Sequence, residues 1–128
     1  MPHLTLEYSA NLGASVDLDG LCKNLCKCLS DSGLFELGAI RVRAVRCDTY
    51  AIADELPENA FLDASLRIGA GRTPEEKKRA GEALFDTLSQ FLATQLAAPH
   101  FALSLEIREI DAQLSWKKNA IHPRLRGT

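Results

Sequence analysis

The chain has 128 residues, with 15 Lys and Arg against 17 Asp and Glu and a formal net charge of −2. Its 46% apolar and 25% charged residues suit one folded domain over residues 1–128 and leave too little chain for two comfortable cores. The near-neutral charge argues against a dedicated nucleic-acid binder, no apolar run approaches the roughly 18 residues of a membrane span, and Met1–Leu12 lacks the basic and apolar regions of a signal peptide, so a cytoplasmic protein is expected.

Leu4–Tyr8 alternates apolar and polar residues, the pattern of a half-buried strand. Asn11–Ser15 reads as a loop. Asp17 is placed to cap a helix with apolar positions Leu18, Leu21, Cys22, Leu25 and Leu29, and Gly33 to stop it. Ile40–Asp48 is a second strand, with Ile40, Val42 and Ala44 on one face and Arg41 and Arg43 on the other. Thr49–Glu58 has turn composition. Ala60–Ile68 is a third strand. Thr73, Pro74 and Glu76 then supply an N-cap, a first-turn proline and the carboxylate of a capping box. The helix they start carries Ala80, Leu84, Leu88, Phe91, Leu92 and Leu96 at helical spacing, up to Pro99. Phe101–Ile110 is a fourth strand. The last eighteen residues read as irregular, with a short strand expected near Leu114–Lys117.

The order β-α-β, β-α-β predicts an α/β (α+β) domain: a tandem repeat with a four-stranded sheet and two helices on one face. The opposite face then carries His3, Thr5, Glu7, Arg41, Arg43, Asp63, Ser65, Arg67, Ser104, Glu106 and Arg108. Such a face is either wet or packed against other copies with ionic pairing.

Three features can carry chemistry. Met1 is followed by the small Pro2, so initiator removal exposes a secondary amine. When neutral, that nitrogen is a general base worth about 10²–10⁴ in rate. Burial and nearby cations lower an amine's pKa and favour the neutral form. The loop Gly69-Ala-Gly-Arg72, running into a capped helix, offers backbone approach, a helix N-terminus and a guanidinium to an anion. It is not a P-loop, because no Gly-Lys-Ser/Thr follows. Arg41, with Arg43 and Arg46 nearby, can hold carboxylates at about 1.5–3 kcal/mol per charge-assisted bond. The plainer reading pairs Arg43 and Arg46 with strand carboxylates such as Glu7, Asp63 or Glu106. Lys77, Lys78 and Arg79 read as a solvated helix face. Trp116, Asn119 and His122 lie in the tail, where an aromatic can wall a pocket. Cys22, Cys26, Cys28 and Cys47 lack the second ligand cluster of a structural zinc site and read as reduced thiols, with no metal expected.

Pro2-His3-Leu-Thr-Leu-Glu-Tyr-Ser-Ala-Asn11, Gly38-Ala-Ile-Arg41, Arg67-Ile-Gly-Ala-Gly-Arg72, Leu103-Ser-Leu-Glu-Ile-Arg-Glu109, Trp116-Lys-Lys-Asn119 and His122 together span essentially the whole chain. In these segments the sequence resembles the 5-carboxymethyl-2-hydroxymuconate Δ-isomerase family of the tautomerase superfamily. The resemblance implies a tautomerase-like fold and a homotrimer with the sheets facing inward. It implies an enol-to-keto tautomerisation with double-bond migration, in the breakdown of homoprotocatechuate and related aromatic compounds. No cofactor and no metal are implied. Pro2 would be the catalytic acid/base, and Arg41 and Arg72 would bind substrate carboxylates and steady the dienolate. Arg43 is the alternative to Arg41 by a small change of register, and Trp116 would wall the pocket. A sibling tautomerase, acting on phenylpyruvate-type enols or on haloacrylates, would use the same Pro2. A non-catalytic oligomeric ligand-binding module would not need it.

Overall fold

The computed structural model describes residues 1–127. Its strands are β1 (His3–Ser9), β2 (Arg41–Cys47), β3 (Ala60–Gly69) and β4 (Phe101–Ile110). Helix α1 (Leu18–Asp31) links β1 to β2, and α2 (Pro74–Phe91) with the single turn α3 (Ala93–Leu96) links β3 to β4. The sheet order is β2-β1-β3-β4. Each half is a parallel pair, β1 with β2 and β3 with β4, and the halves join antiparallel through β1 and β3. The tandem β-α-β reading is therefore the observed architecture.

Alternation within the strands decides which face is covered. Leu4 and Leu6 of β1 and Leu62, Ala64, Leu66 and Ile68 of β3 are completely or almost completely buried. They meet Leu21, Leu25 and Leu29 of α1, with Leu84 and Leu88 of α2 and the adjoining Leu92. Burying each such leucine or isoleucine stabilises the fold by about 1.5–3 kcal/mol. The other face carries the polar residues expected of it. There Ser104 donates to Asp63 at 2.7 Å and Arg108 pairs with Glu106 at 2.8 Å.

Both predicted helix starts are present. The Asp17 carboxylate accepts from Gly20 N at 3.0 Å. Thr73 and Glu76 form a reciprocal capping box, with bonds of 2.9 and 3.1 Å.

Four expectations need correction. The apolar stripe of α2 does not continue straight to Leu96: the backbone bends at Leu92 (φ −102°, ψ 21°), and Leu96 turns out of the core. Asn11–Ser15 is not an open loop, since Ala10–Ala14 winds into a 3-10 turn that buries Leu12. No strand forms near Leu114–Lys117; Ala112–Leu114 is a 3-10 turn and, among the described residues, no strand pairs with those after it. Lys77 is not simply solvated, because it crosses to Glu109 of β4 in an ion pair. After the irregular stretch the tail closes with α4 (Ile121–Leu125), which packs on a 3-10 turn at Leu37–Ala39.

The capping box joins the proposed anion loop to α2, so its loss has a local cost. Thr73→Ala should lower unfolding stability by about 1 kcal/mol in a denaturant titration. An unchanged midpoint would show that tertiary packing alone fixes this helix start.

Candidate functional site

Pro2 sits fully buried at the head of β1, where its carbonyl accepts from Arg41 N at 3.2 Å and so extends the β1–β2 ladder by one bond. Its nitrogen carries Met1, and Met1 lies between two cavities. The larger, of about 700 Å³, is bordered by His3, Arg41, Arg67 and Trp116. The smaller, of about 390 Å³, is bordered by Pro2, Phe35, Glu36, Arg72, Asn119 and His122. Met1 and Lys117 border both.

Arg72 is anchored rather than loose. Gly71 takes φ +114°, a left-handed conformation that glycine adopts without strain, and the chain then turns into α2. The Arg72 guanidinium donates to Leu34 O at 2.8 Å and to Gly69 O at 3.4 Å, and stacks over the Phe35 ring at 4.4 Å. These contacts fix the plane of the group and leave N–H donors over for an anion in the smaller cavity.

Arg41 and Arg43 separate clearly. Arg41 points at the N-terminus, with Nη1 3.4 Å from Met1 Sδ and 3.5 Å from His3 Nε2. Arg43 borders neither of the cavities beside Met1 and meets His3 Nδ1 from the polar sheet face at 3.2 Å. A neutral imidazole has one acceptor nitrogen, so His3 accepts from only one of the two arginines at a time. Burial, then Arg67, Arg41 and Arg43, hold the His3 pKa below its usual range, which favours that neutral ring. The expected strand-carboxylate partners of Arg43 and Arg46 are not the ones found: Arg43 meets His3, and Arg46 pairs with Asp48 at 2.9 Å.

The N-terminal amine of Met1 also has its pKa lowered. Burial is the largest cause, followed by the charges of Lys117, Arg72 and Arg41. None of these three cations has a carboxylate in ion-pair range among the described residues. The one acid beside the smaller cavity, Glu36, is held by Arg126 through bonds of 2.5 and 2.7 Å, with His122 Nδ1 3.0 Å away.

The tail forms the remaining wall. Asn119 donates to Gly38 O at 2.8 Å, while its carbonyl oxygen accepts from Ile121 N at 2.8 Å. A Cβ on Gly38 would come within 2.8 Å of His122 Nδ1, so the close seat of the tail requires glycine there. Trp116 borders the larger cavity but is 85% exposed, an open lip rather than a packed wall.

Pro2, Arg41, Arg72 and Trp116 are thus gathered around one end of the sheet, and Arg43 is not. Sequence reasoning missed Lys117 and the Glu36–Arg126 clamp. A Lys-Lys pair in a charge-balanced chain carries no signal of its own, and the clamp spans 90 residues. The four cysteines are free and half-buried, and no group of three or more His, Cys, Asp or Glu is arranged to hold a metal among the described residues. No helix is long and apolar enough to cross a membrane among those residues.

Comparison with known proteins shows the family and the fold. The family model for 5-carboxymethyl-2-hydroxymuconate isomerase matches residues 2–125. The 5-carboxymethyl-2-hydroxymuconate Delta-isomerase of Escherichia coli is 37% identical over 122 residues, covering 95% of this chain and 97% of that protein. A crystal structure of a 5-carboxymethyl-2-hydroxymuconate isomerase from Deinococcus radiodurans R1 superposes with a TM-score of 0.91 at 43% identity, covering 98% of this chain and 94% of that one. The fold alone is shared with a fused 4-OT symmetric trimer, at a TM-score of 0.69 and 15% identity over 91% of this chain and 93% of that one. The chain belongs to the 5-carboxymethyl-2-hydroxymuconate isomerase family, isomerases with the tautomerase fold.

Proposed function

We propose that the protein ketonises 5-carboxymethyl-2-hydroxymuconate, with Pro2 as acid and base once Met1 is removed. One observation carries this reading: the Pro2–Met1 junction lies between two cavities, one bordered by Arg41 and the other by Arg72. Removal of Met1 joins the cavities at the Pro2 nitrogen. A substrate with carboxylates at both ends can then span the junction with its reacting carbons beside that nitrogen.

The neutral nitrogen takes the proton of the 2-hydroxyl. The O–H electrons form the C2 carbonyl, the C2–C3 double bond moves to C3–C4, and the former C4–C5 pair takes a proton at C5 from the protonated amine. Atoms and charges balance, and the base is restored. Arg41 and Arg72 bind carboxylates and stabilise the negative charge on the dienolate. The same positive charges favour a neutral amine. Arg41, rather than Arg43, suits this role because it borders the cavity beside Met1. Trp116 stands at the open lip of the larger cavity.

We further propose a homotrimer in the cytoplasm, with the polar sheet faces turned inward and the reaction in homoprotocatechuate breakdown. The resemblance supports this, together with a charged sheet face that none of the described residues covers. Sedimentation should give a mass near three chains, and a monomer at micromolar concentration would remove the trimer.

Fast, Pro2-dependent loss of the dienol ultraviolet signal is expected from protein whose mass shows Met1 removed. Pro2→Ala, or a chain that keeps Met1, should lose about 10²-fold or more. Full activity with a blocked N-terminus would eliminate the base, and no rate above background on this substrate would eliminate the substrate. Arg72→Ala and Arg41→Ala should each cost about tenfold or more in kcat/KM with the circular dichroism unchanged. Arg43→Ala should cost less than Arg41→Ala; the reverse order would exchange their roles.

A further inference from the structure

We propose that Lys117 is a third catalytic cation of this site: its ammonium takes a substrate carboxylate at the junction of the two cavities and sets the charge around the Pro2 nitrogen. The inference rests on the proposed role of Pro2 and goes beyond it in naming a residue of the tail.

Position is the first argument. Apart from Met1 itself, Lys117 is the one residue bordering both cavities. Two residues further on, Asn119 ties the tail backbone to Gly38 O at 2.8 Å. That tether sets where the lysine stem begins. Availability is the second. Glu36, the acid bordering the smaller cavity, already has Arg126 at 2.5 and 2.7 Å and His122 at 3.0 Å. Lys117 has no carboxylate in ion-pair range among the described residues, so its charge is uncommitted and ready for an anion. Stoichiometry is the third. A muconate bearing a carboxymethyl arm has three carboxylates; Arg41 and Arg72 take two, and of the other cations around the site only Lys117 borders both cavities.

The electrostatics agree. Among the charges that lower the pKa of the Met1 amine, one residue before the Pro2 nitrogen, that of Lys117 comes ahead of Arg72 and Arg41. Other charged or titratable groups face the junction from every neighbouring element. His3, Arg41 and Arg67 come from the first three strands, and Arg72 from the loop before α2. Glu36, His122, Arg126 and Lys118 come from the tail and the turn it packs on. Only Glu36 among them is an acid, and Arg126 balances it.

The test is a direct titration of the Pro2 nitrogen by 15N NMR, in proline-labelled chain lacking Met1, which needs no turnover. Removing a neighbouring cation favours protonation, so Lys117→Met should raise the Pro2 pKa, and Lys117→Arg should return it towards the native value. Lys117→Gln serves if the Met variant folds poorly. In kinetics on 5-carboxymethyl-2-hydroxymuconate, the acid limb of kcat/KM should move to higher pH by the same interval. KM should rise about tenfold or more where the base is fully neutral. An identical Pro2 titration in native and Lys117→Met protein would overturn the proposal, as would failure of Lys117→Arg to restore it. A raised pKa with unchanged KM would overturn the carboxylate contact. Turnover that survives Pro2→Ala would instead defeat the base assignment, a separate failure.

Discussion

The start of the chain is held inside the sheet, and the site depends on that constraint. Chain ends ordinarily fray. Here β1 lies between β2 and β3, paired on both sides from His3 onward. Leu4 and Leu6 are completely buried, so the strand cannot slip by one residue without turning leucines to solvent and polar residues to the core. Pro2 adds a further point of attachment through its carbonyl to Arg41 N. Proline has no amide hydrogen to give, so the ladder asks nothing of its nitrogen. The sheet therefore fixes where that atom is while leaving its chemistry free.

The charge distribution follows from the same placement. Parallel pairing sets His3 opposite Arg41, and antiparallel pairing sets His3 opposite Arg67. Two arginines thereby flank the first residue of β1. The turn at Gly71 brings Arg72 to the other side, where two backbone carbonyls and the Phe35 ring hold it. Like charges gathered this closely repel. The repulsion is tolerated because the core leucines supply the stability of the fold, and an anionic ligand would relieve it. The clamp on Glu36 preserves this imbalance: a carboxylate free to swing into the smaller cavity would occupy Arg72 and compete with any ligand. Bidentate pairing with Arg126 holds that carboxylate in place.

Much of this was legible in the sequence, for reasons that are local. Period-two alternation marks β1 and β3 because one face of the sheet is buried and the other is not. The Thr73-Pro74-Glu76 signal marks the start of α2 because it satisfies free N–H groups within four residues. What was not legible depends on contacts between distant segments. The choice between Arg41 and Arg43 is a question of register at the strand's head, which spacing alone leaves open. The bend at Leu92 carries no proline or glycine to announce it. The 3-10 turns at Ala10–Ala14 and Leu37–Ala39 are too short to show a period. Leu114–Lys117 alternates like a strand, yet Leu114 and Trp116 are 70% and 85% exposed, with no ladder in the chain to join.

The tail separates folding from chemistry. Its docking rests largely on polar bonds, Asn119 to Gly38 and Arg126 to Glu36, and the second joins exposed side chains whose pairing water screens. Each buried leucine beneath α1 and α2 contributes about 1.5–3 kcal/mol, and there are many leucines. Local opening of the tail therefore costs far less than global unfolding. The tail supplies one wall of both cavities, whereas Pro2 at the head of β1, Arg41 of β2 and Arg67 of β3 belong to the sheet. At Gly38 the two meet: a Cβ there would come within 2.8 Å of His122 Nδ1, so the missing side chain is what lets the tail lie against this turn.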